Sequence, residues 1–414
     1  MKNDLNIIPD KSHTFSKAHH QYPTNISPQY ATNAYGCRLQ TDKGEYIDWS
    51  MGIGPVIKGY SFKRFNEHLY KKIEKGLALS IPYEYEFEVA NKLITNIKFG
   101  DQVRFARNGS DVTSAAVRLA RHYTNKDLII CNGYHGWQDW YIGATTRNSG
   151  VPRSISNLTK KIDGFSCEQL ERSFNQNKGN IACLIIEPMI GSEPDIEFLK
   201  MAKSLCENNE ALLIFDEAWT GFRCHKEGAI GYTGIIPDLV CYGKALGNGV
   251  PVSAIVGRKS LMKGFEEVFF SFTHAADPIG LASADFMIDY LDTNFFNALT
   301  IKTNVMKTKL VKILQEIEDE NLRIKCTSYP GKLVFTAINQ HLALEIKTFV
   351  QKEFLSMGML FNMFIALCED HEQKEIDMCC DTFEIIVKKM NSKDFNLQKE
   401  TEQHLVKAVF RPQT

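Results

Sequence analysis

The chain reads as short, uninterrupted apolar runs separated by amphipathic stretches. The runs lie at 103–106, 128–131, Ile181–Ile186, 211–215, Leu239–Tyr242 and 253–256, and each leads into polar or glycine-rich text. Runs of this length without alternation fit strands buried on both faces. Between several of them, apolar residues recur at helical spacing over 114–122, 168–175 and 197–208. Strands alternating with helices of that length predict crossover units and a mostly parallel sheet. Two more helices are predicted earlier, over 65–79 and Glu84–Ile97. From about 285 the pattern changes: helices over 285–292 and 297–320, a strand at Lys332–Ala337, then helices over 342–357 and 372–390. The expected organisation is therefore a large α/β domain at 61–285 and a smaller α+β domain at 286–414. The first stretch is turn-rich, with Pro9, Pro23, Pro28, Gly36 and Gly44. Residues 1–60 are expected to pack on the active site and the small domain rather than to form a core of their own.

Composition narrows the class. The chain has 414 residues, 44% hydrophobic and 23% charged, which excludes a mostly disordered protein. Lys plus Arg number 48 against 49 Asp plus Glu, so no overall charge points to nucleic acid or an anionic membrane. No apolar run approaches the roughly 18 residues of a membrane helix. Residues 1–23 are polar and His-rich, so no signal peptide is expected. Eleven cysteines are scattered with no Cys-x-x-Cys pair, as expected of reduced thiols in a cytoplasmic protein. His19, His20 and His225 lack metal-ligand spacing, and no metal is expected.

Ligands of open parallel sheets collect at the carboxyl ends of the strands, so the text after each run carries the chemistry. After 103–106 comes Arg107-Asn108-Gly109-Ser110-Asp111 and a helix. Free N–H groups and a hydroxyl at a helix start suit a phosphate, although a plain N-cap has the same sequence. After 128–131 comes Asn132-Gly133-Tyr134-His135-Gly136-Trp137, which either presents a ring for stacking or packs its aromatics in a turn. Glu187 follows the next run, and Asp216-Glu217-Ala218-Trp219 closes the one after. A carboxylate at a buried strand end needs a partner. A protonated ring nitrogen would serve, and so would an arginine such as Arg223. After Leu239–Tyr242 comes Gly243-Lys244-Ala245-Leu246-Gly247-Asn248-Gly249, with a lysine placed to act as an amine nucleophile. A phosphate turn, an aromatic, an acid and a lysine at successive strand ends are the parts that a pyridoxal phosphate site needs.

Ile214-Phe215-Asp216-Glu217, Thr220-Gly221-Phe222-Arg223 and Gly243-Lys244-Ala245-Leu246-Gly247-Asn248-Gly249 resemble the signature of class III pyridoxal-phosphate aminotransferases. Within that class the chain is most similar to the glutamate-1-semialdehyde aminomutase group. Tyr46-Ile47-Asp48, Gly54-Pro55 and Arg118-Leu119-Ala120-Arg121 add to the likeness, which covers roughly 20–290 and thins beyond. The resemblance implies a type I aminotransferase fold, a pyridoxal 5'-phosphate cofactor and a homodimer with shared active sites. It implies Lys244 as the Schiff-base lysine and Asp216 as the acid on the pyridine nitrogen. It places Gly109 and Ser110 at the phosphate and the Tyr134 ring on the cofactor, with His135 beside it. Ala218 falls on the opposite face, and Glu187 lines the site. Thr273, in Ser271-Phe272-Thr273-His274, matches a threonine that reaches the phosphate from the other subunit.

Two departures bear on substrate. The aminomutases carry Ser-Pro-Val-Arg near the amino terminus, and its arginine grips the substrate carboxylate. Residues 14–23 hold no arginine here, but Lys17, His19, His20, Gln21 and Tyr22. The family's lid reads Thr145-Thr146-Arg147-Asn148. Both stretches suit hydroxyl-rich ligands. The reading is amino transfer from an amino-acid donor to the carbonyl of a sugar-derived acceptor, with an intramolecular aminomutase as the alternative and a cofactor-free scaffold as a third.

Overall fold

Strand order places the sequence-marked turns along one edge of a single sheet. The computed structural model describes residues 7–410, so the outermost ends of the first and last expected segments lie outside the described residues. The strands, in chain order, are β1 (Ala31–Tyr35), β2 (Arg38–Thr41), β3 (Gly44–Asp48), β4 (Gln102–Ala106), β5 (Leu128–Asn132), β6 (Thr159–Lys161), β7 (Ile181–Ile186), β8 (Leu212–Glu217), β9 (Leu239–Tyr242), β10 (Ser253–Gly257), β11 (Ile324–Tyr329), β12 (Lys332–Ala337), β13 (Met359–Leu360) and β14 (Phe364–Ala366). The chain divides into two compact units, one of Lys63–Asn297 and one of the segments up to Phe62 and from Ala298 onward.

The first unit is built on a seven-stranded sheet of order β4-β10-β9-β8-β7-β5-β6. Only β10 runs against the rest, antiparallel to both β4 and β9. β5, β7, β8, β9 and β10 are buried at every residue. This is why their sequences are continuous rather than alternating: helices cover both faces. The helix Gly109–Thr124 buries Val112, Ala115, Ala116, Leu119 and Ala120, and its alanines let it lie close to the sheet. Its start is fixed by a capping box between Asn108 and Asp111.

The sequence boundary near 285 differs from the observed division, which falls inside the helix Thr293–Gln315. The apolar helix Pro278–Tyr290 precedes it, packs against Lys63–Ile73 and Glu84–Ile97, and so stays with the large unit. The predicted helix over 65–79 stops at Ile73, ahead of Gly76, whose φ is +99°.

The second unit holds a sheet of order β1-β2-β3-β13 and an antiparallel sheet of order β11-β12-β14. Its core is aromatic, with Phe354 on Phe361 at 4.3 Å and Phe335 on Phe383 at 4.9 Å between ring centroids. The strands β1 to β3 lie in a stretch read from sequence as turns. Nearly all of their residues are exposed or half-buried, which blurs the alternation that marks a strand.

Candidate active site

Asp216 and Glu217 end β8, in register with Cys241 and Tyr242 of β9. Lys244 therefore emerges two residues past the strand beside Asp216. Its backbone is left-handed, φ +45°, as it opens the short 3-10 turn Lys244–Gly247. A lysine there is strained by roughly 1 kcal/mol. Its amine lies 4.8 Å from the centroid of the Trp219 ring. Burial lowers the Lys244 pKa, Glu187 and Asp216 oppose that, and Arg223 adds to it. A larger share of neutral amine results, as a nucleophile or base requires.

Asp216 is 3% exposed. Its Oδ2 lies 2.8 Å from His135 Nδ1, and its Oδ1 accepts from Ala218 N–H at 3.0 Å. His135 Nε2 faces the Asn132 carbonyl at 3.0 Å. A carbonyl only accepts, so a hydrogen bond there is donated by Nε2–H, and Asp216 meets the ring at its other nitrogen. His135 is thus one partner of the buried Asp216 carboxylate. Glu217, next in sequence, is turned inward: its Oε2 accepts from Thr220 Oγ1 and Ala229 N–H, and burial pushes its pKa up to about 7.

The loop 133–136 is pressed onto the start of the helix Gly109–Thr124. A Cβ on Gly136 (φ +105°) would lie 2.5 Å from Ser110 Cβ, and Thr113 Oγ1 donates to the His135 carbonyl at 2.9 Å. Gly133 is held as tightly, since its Cβ would stand 2.7 Å from Glu187 Oε1. That carboxylate accepts from Tyr134 N–H at 2.7 Å. Tyr134 is half exposed and meets Tyr141 edge-on. A Cβ on Gly109 or on Gly243 would reach Ala218 Cβ at 3.7 and 4.0 Å, so these three small residues form one wall. The Gly109 and Ser110 N–H groups take no partner among the described residues.

The geometry thus brings together Gly109, Ser110, Tyr134, His135, Glu187, Asp216, Ala218 and Lys244. Thr273 lies apart, on an exposed loop that lines a groove of about 530 Å³. Arg107 ties that loop to the Ser110 turn through Asp277 at 3.3 Å. Several residues marked for substrate are spent on the fold instead. Gln21 is buried, donating to the Lys407 carbonyl at 2.7 Å and accepting from Lys347 Nζ at 3.2 Å. His20 pairs with Asp10, His19 with Gln29, and Thr145 Oγ1 donates to the Ile142 carbonyl.

A family profile, aminotransferase class-III, matches residues 19–366. The chain belongs to the class III aminotransferases. One relative within the class is the glutamate-1-semialdehyde 2,1-aminomutase of Methanosphaera stadtmanae, 28% identical over 93% of this chain and 96% of its own. The same-named protein of Methanothermobacter thermautotrophicus is 31% identical over 71% of this chain and 74% of its own. Among solved structures, FumI of Sphingopyxis sp. MTA144 has a TM-score of 0.84 at 22% identity, covering 92% of this chain and 93% of that one. An omega-transaminase from Sphaerobacter thermophilus has 0.83 at 21%, covering 94% and 96%. The fold is that of a type I aminotransferase, and the class III cofactor is pyridoxal phosphate. The residues fit that group. A buried acid with lone pairs to spare suits a protonated ring nitrogen, unpartnered N–H groups at a helix start suit the phosphate, and Lys244 offers an amine. Among the described residues no helix is long and apolar enough to cross a membrane. All eleven thiols are free, and all but Cys167 are buried.

Proposed function

We propose that this enzyme moves an amino group from an amino-acid donor to the carbonyl of a small sugar-derived acceptor, in the cytoplasm, as a homodimer. The observation that carries amino transfer is the convergence of Lys244, the Asp216–His135 pair and the Gly109–Ser110 turn at adjoining strand ends. Gly109 and Ser110 would hold the phosphate through backbone N–H groups and the Ser110 hydroxyl. Asp216 would hold the ring nitrogen, with His135 fixing the angle of its carboxylate. Tyr134 and Ala218 would bound the ring on its two faces, Glu187 would line the site, and Thr273 of a second copy would reach the phosphate. When bound, pyridoxal phosphate supplies an electron sink for charge developing on the substrate Cα. Lys244 Nζ takes the proton from that carbon and returns it, helped by surroundings that favour the neutral amine.

The acceptor follows from charge. A carboxylate leaving water needs a bidentate partner, which arginine provides best. Residues 14–23 contain none. The groups this reading counts on are Lys17 and Tyr22 in that stretch and, separately, Arg147 and Asn148 in the lid stretch. The second reading is an intramolecular aminomutase, supported by the names of the relatives at 28% and 31% identity.

Donor dependence decides between them. Purified enzyme is given glutamate-1-semialdehyde alone, then glutamate with keto-sugar acceptors, and release of 2-oxoglutarate is followed. Turnover is expected only with a donor. Efficient isomerisation without one would establish the second reading instead.

A further inference from the structure

Trp219 leaves β8 in the turn after Asp216, and its indole stands against the reactive end of Lys244. Nζ lies 4.8 Å from the ring centroid, and the Arg223 guanidinium carbon lies 5.7 Å from the same centroid. Both fall within the roughly 6 Å reach of a cation–π contact. Three charged groups surround the amine. Glu187, from the end of β7, and Asp216, from the end of β8, favour its ammonium form, while Arg223 opposes it. Burial opposes it more strongly than any of them. An ammonium short of water beside a second cation needs a surface of negative charge density. The face of an indole is such a surface, a phenyl face is a weaker one, and an aliphatic side chain offers none.

We propose that Trp219 is a positioning residue for Lys244: its indole face holds the free amine in place after β8 and offsets the charge of Arg223. This rests on the reading of Lys244 as the reactive amine. The lysine is then fixed at both ends, by its left-handed backbone and by the ring under Nζ. A flexible four-carbon stem would otherwise let the amine wander before each turnover.

The test uses full-length protein freed of cofactor, as wild type, Trp219→Phe and Trp219→Leu. Each is treated with an amine-acylating reagent across a pH series, and labelling of the Lys244 peptide is followed by mass spectrometry. The midpoint of the profile reads proton affinity, whereas its high-pH plateau reads access. Loss of the ring is expected to lower the midpoint by about one unit, so that below it Trp219→Leu labels about tenfold faster than wild type after correction for the plateau. Trp219→Phe should fall between. Equal midpoints for wild type and Trp219→Leu would overturn the proposal. If the leucine variant does not fold, equal midpoints for wild type and Trp219→Phe would overturn it. Borohydride trapping of the loaded enzyme tests the role of Lys244 separately. Trapping elsewhere, with the midpoint shift intact, would count against that role and leave the Trp219 contact standing.

Discussion

His135 Nδ1 and Asp216 Oδ2 lie 2.8 Å apart, both sealed from solvent, although 81 residues separate them in the chain. The β8-β7-β5 order of the sheet makes this meeting possible, because the loop after β5 folds back over the end of β8. Protein groups meet both oxygens of the carboxylate, His135 at Oδ2 and Ala218 N–H at Oδ1.

Asp216→Asn is expected to lower kcat/KM by about a thousandfold, since removing one partner of a buried charge pair costs about 3–5 kcal/mol. His135→Phe should weaken cofactor retention and turnover in the same direction but less, because Ala218 N–H still holds the carboxylate. Steady-state kinetics with a spectroscopic cofactor titration would check both. Near-normal turnover in Asp216→Asn would refute the role.

Lys244 is expected to be the one residue joined to the cofactor. Borohydride reduction of the loaded protein should leave a pyridoxyl group on the Lys244 peptide, read by mass spectrometry. Lys244→Ala should lose all measurable turnover, because the amine that takes and returns the proton is then gone.

Thr273 tests the assembly. An inactive Lys244→Ala protein mixed with an impaired Thr273→Ala protein should regain activity after subunit exchange, since one site of each mixed dimer then has both groups. A monomer that is fully active, as judged by sedimentation, would contradict sharing.

Lys347 tests stability. Burial lowers its pKa to about 8 from 10.5, and among the described residues its Nζ donates only to the Gln21 amide oxygen. The folded state therefore binds fewer protons between about pH 8 and 10.5, and stability rises with pH across that window. Below it the penalty is fully present, at most about 3 kcal/mol. Lys347→Met should raise the melting temperature at pH 7, with the difference from wild type shrinking towards pH 10.5.

The central strands were plain in the sequence because burial on both faces leaves no polar interruption, as in Ile181–Ile186 and Leu212–Glu217 up to its acidic end. Thr159–Lys161 is not legible in the sequence, since three polar residues on a sheet edge carry no pattern. The two-residue β13 exists only through its pairing with β3. At the site, the strand-end residues could be marked one by one, since chain order and the parallel sheet place them. Their partners could not. Nothing near His135 names Asp216, nothing near Trp219 names Lys244, and the sequestering of Gln21 depends on Lys407, 386 residues away.

The left-handed backbone at Lys244 sets fitness against robustness. Glycine adopts that conformation freely, and replacing the lysine would also remove a buried amine. A Lys244→Gly protein should melt higher than the wild type while doing no chemistry. Directed evolution for heat tolerance alone would therefore discard this lysine, and only a screen that also demands product would keep it.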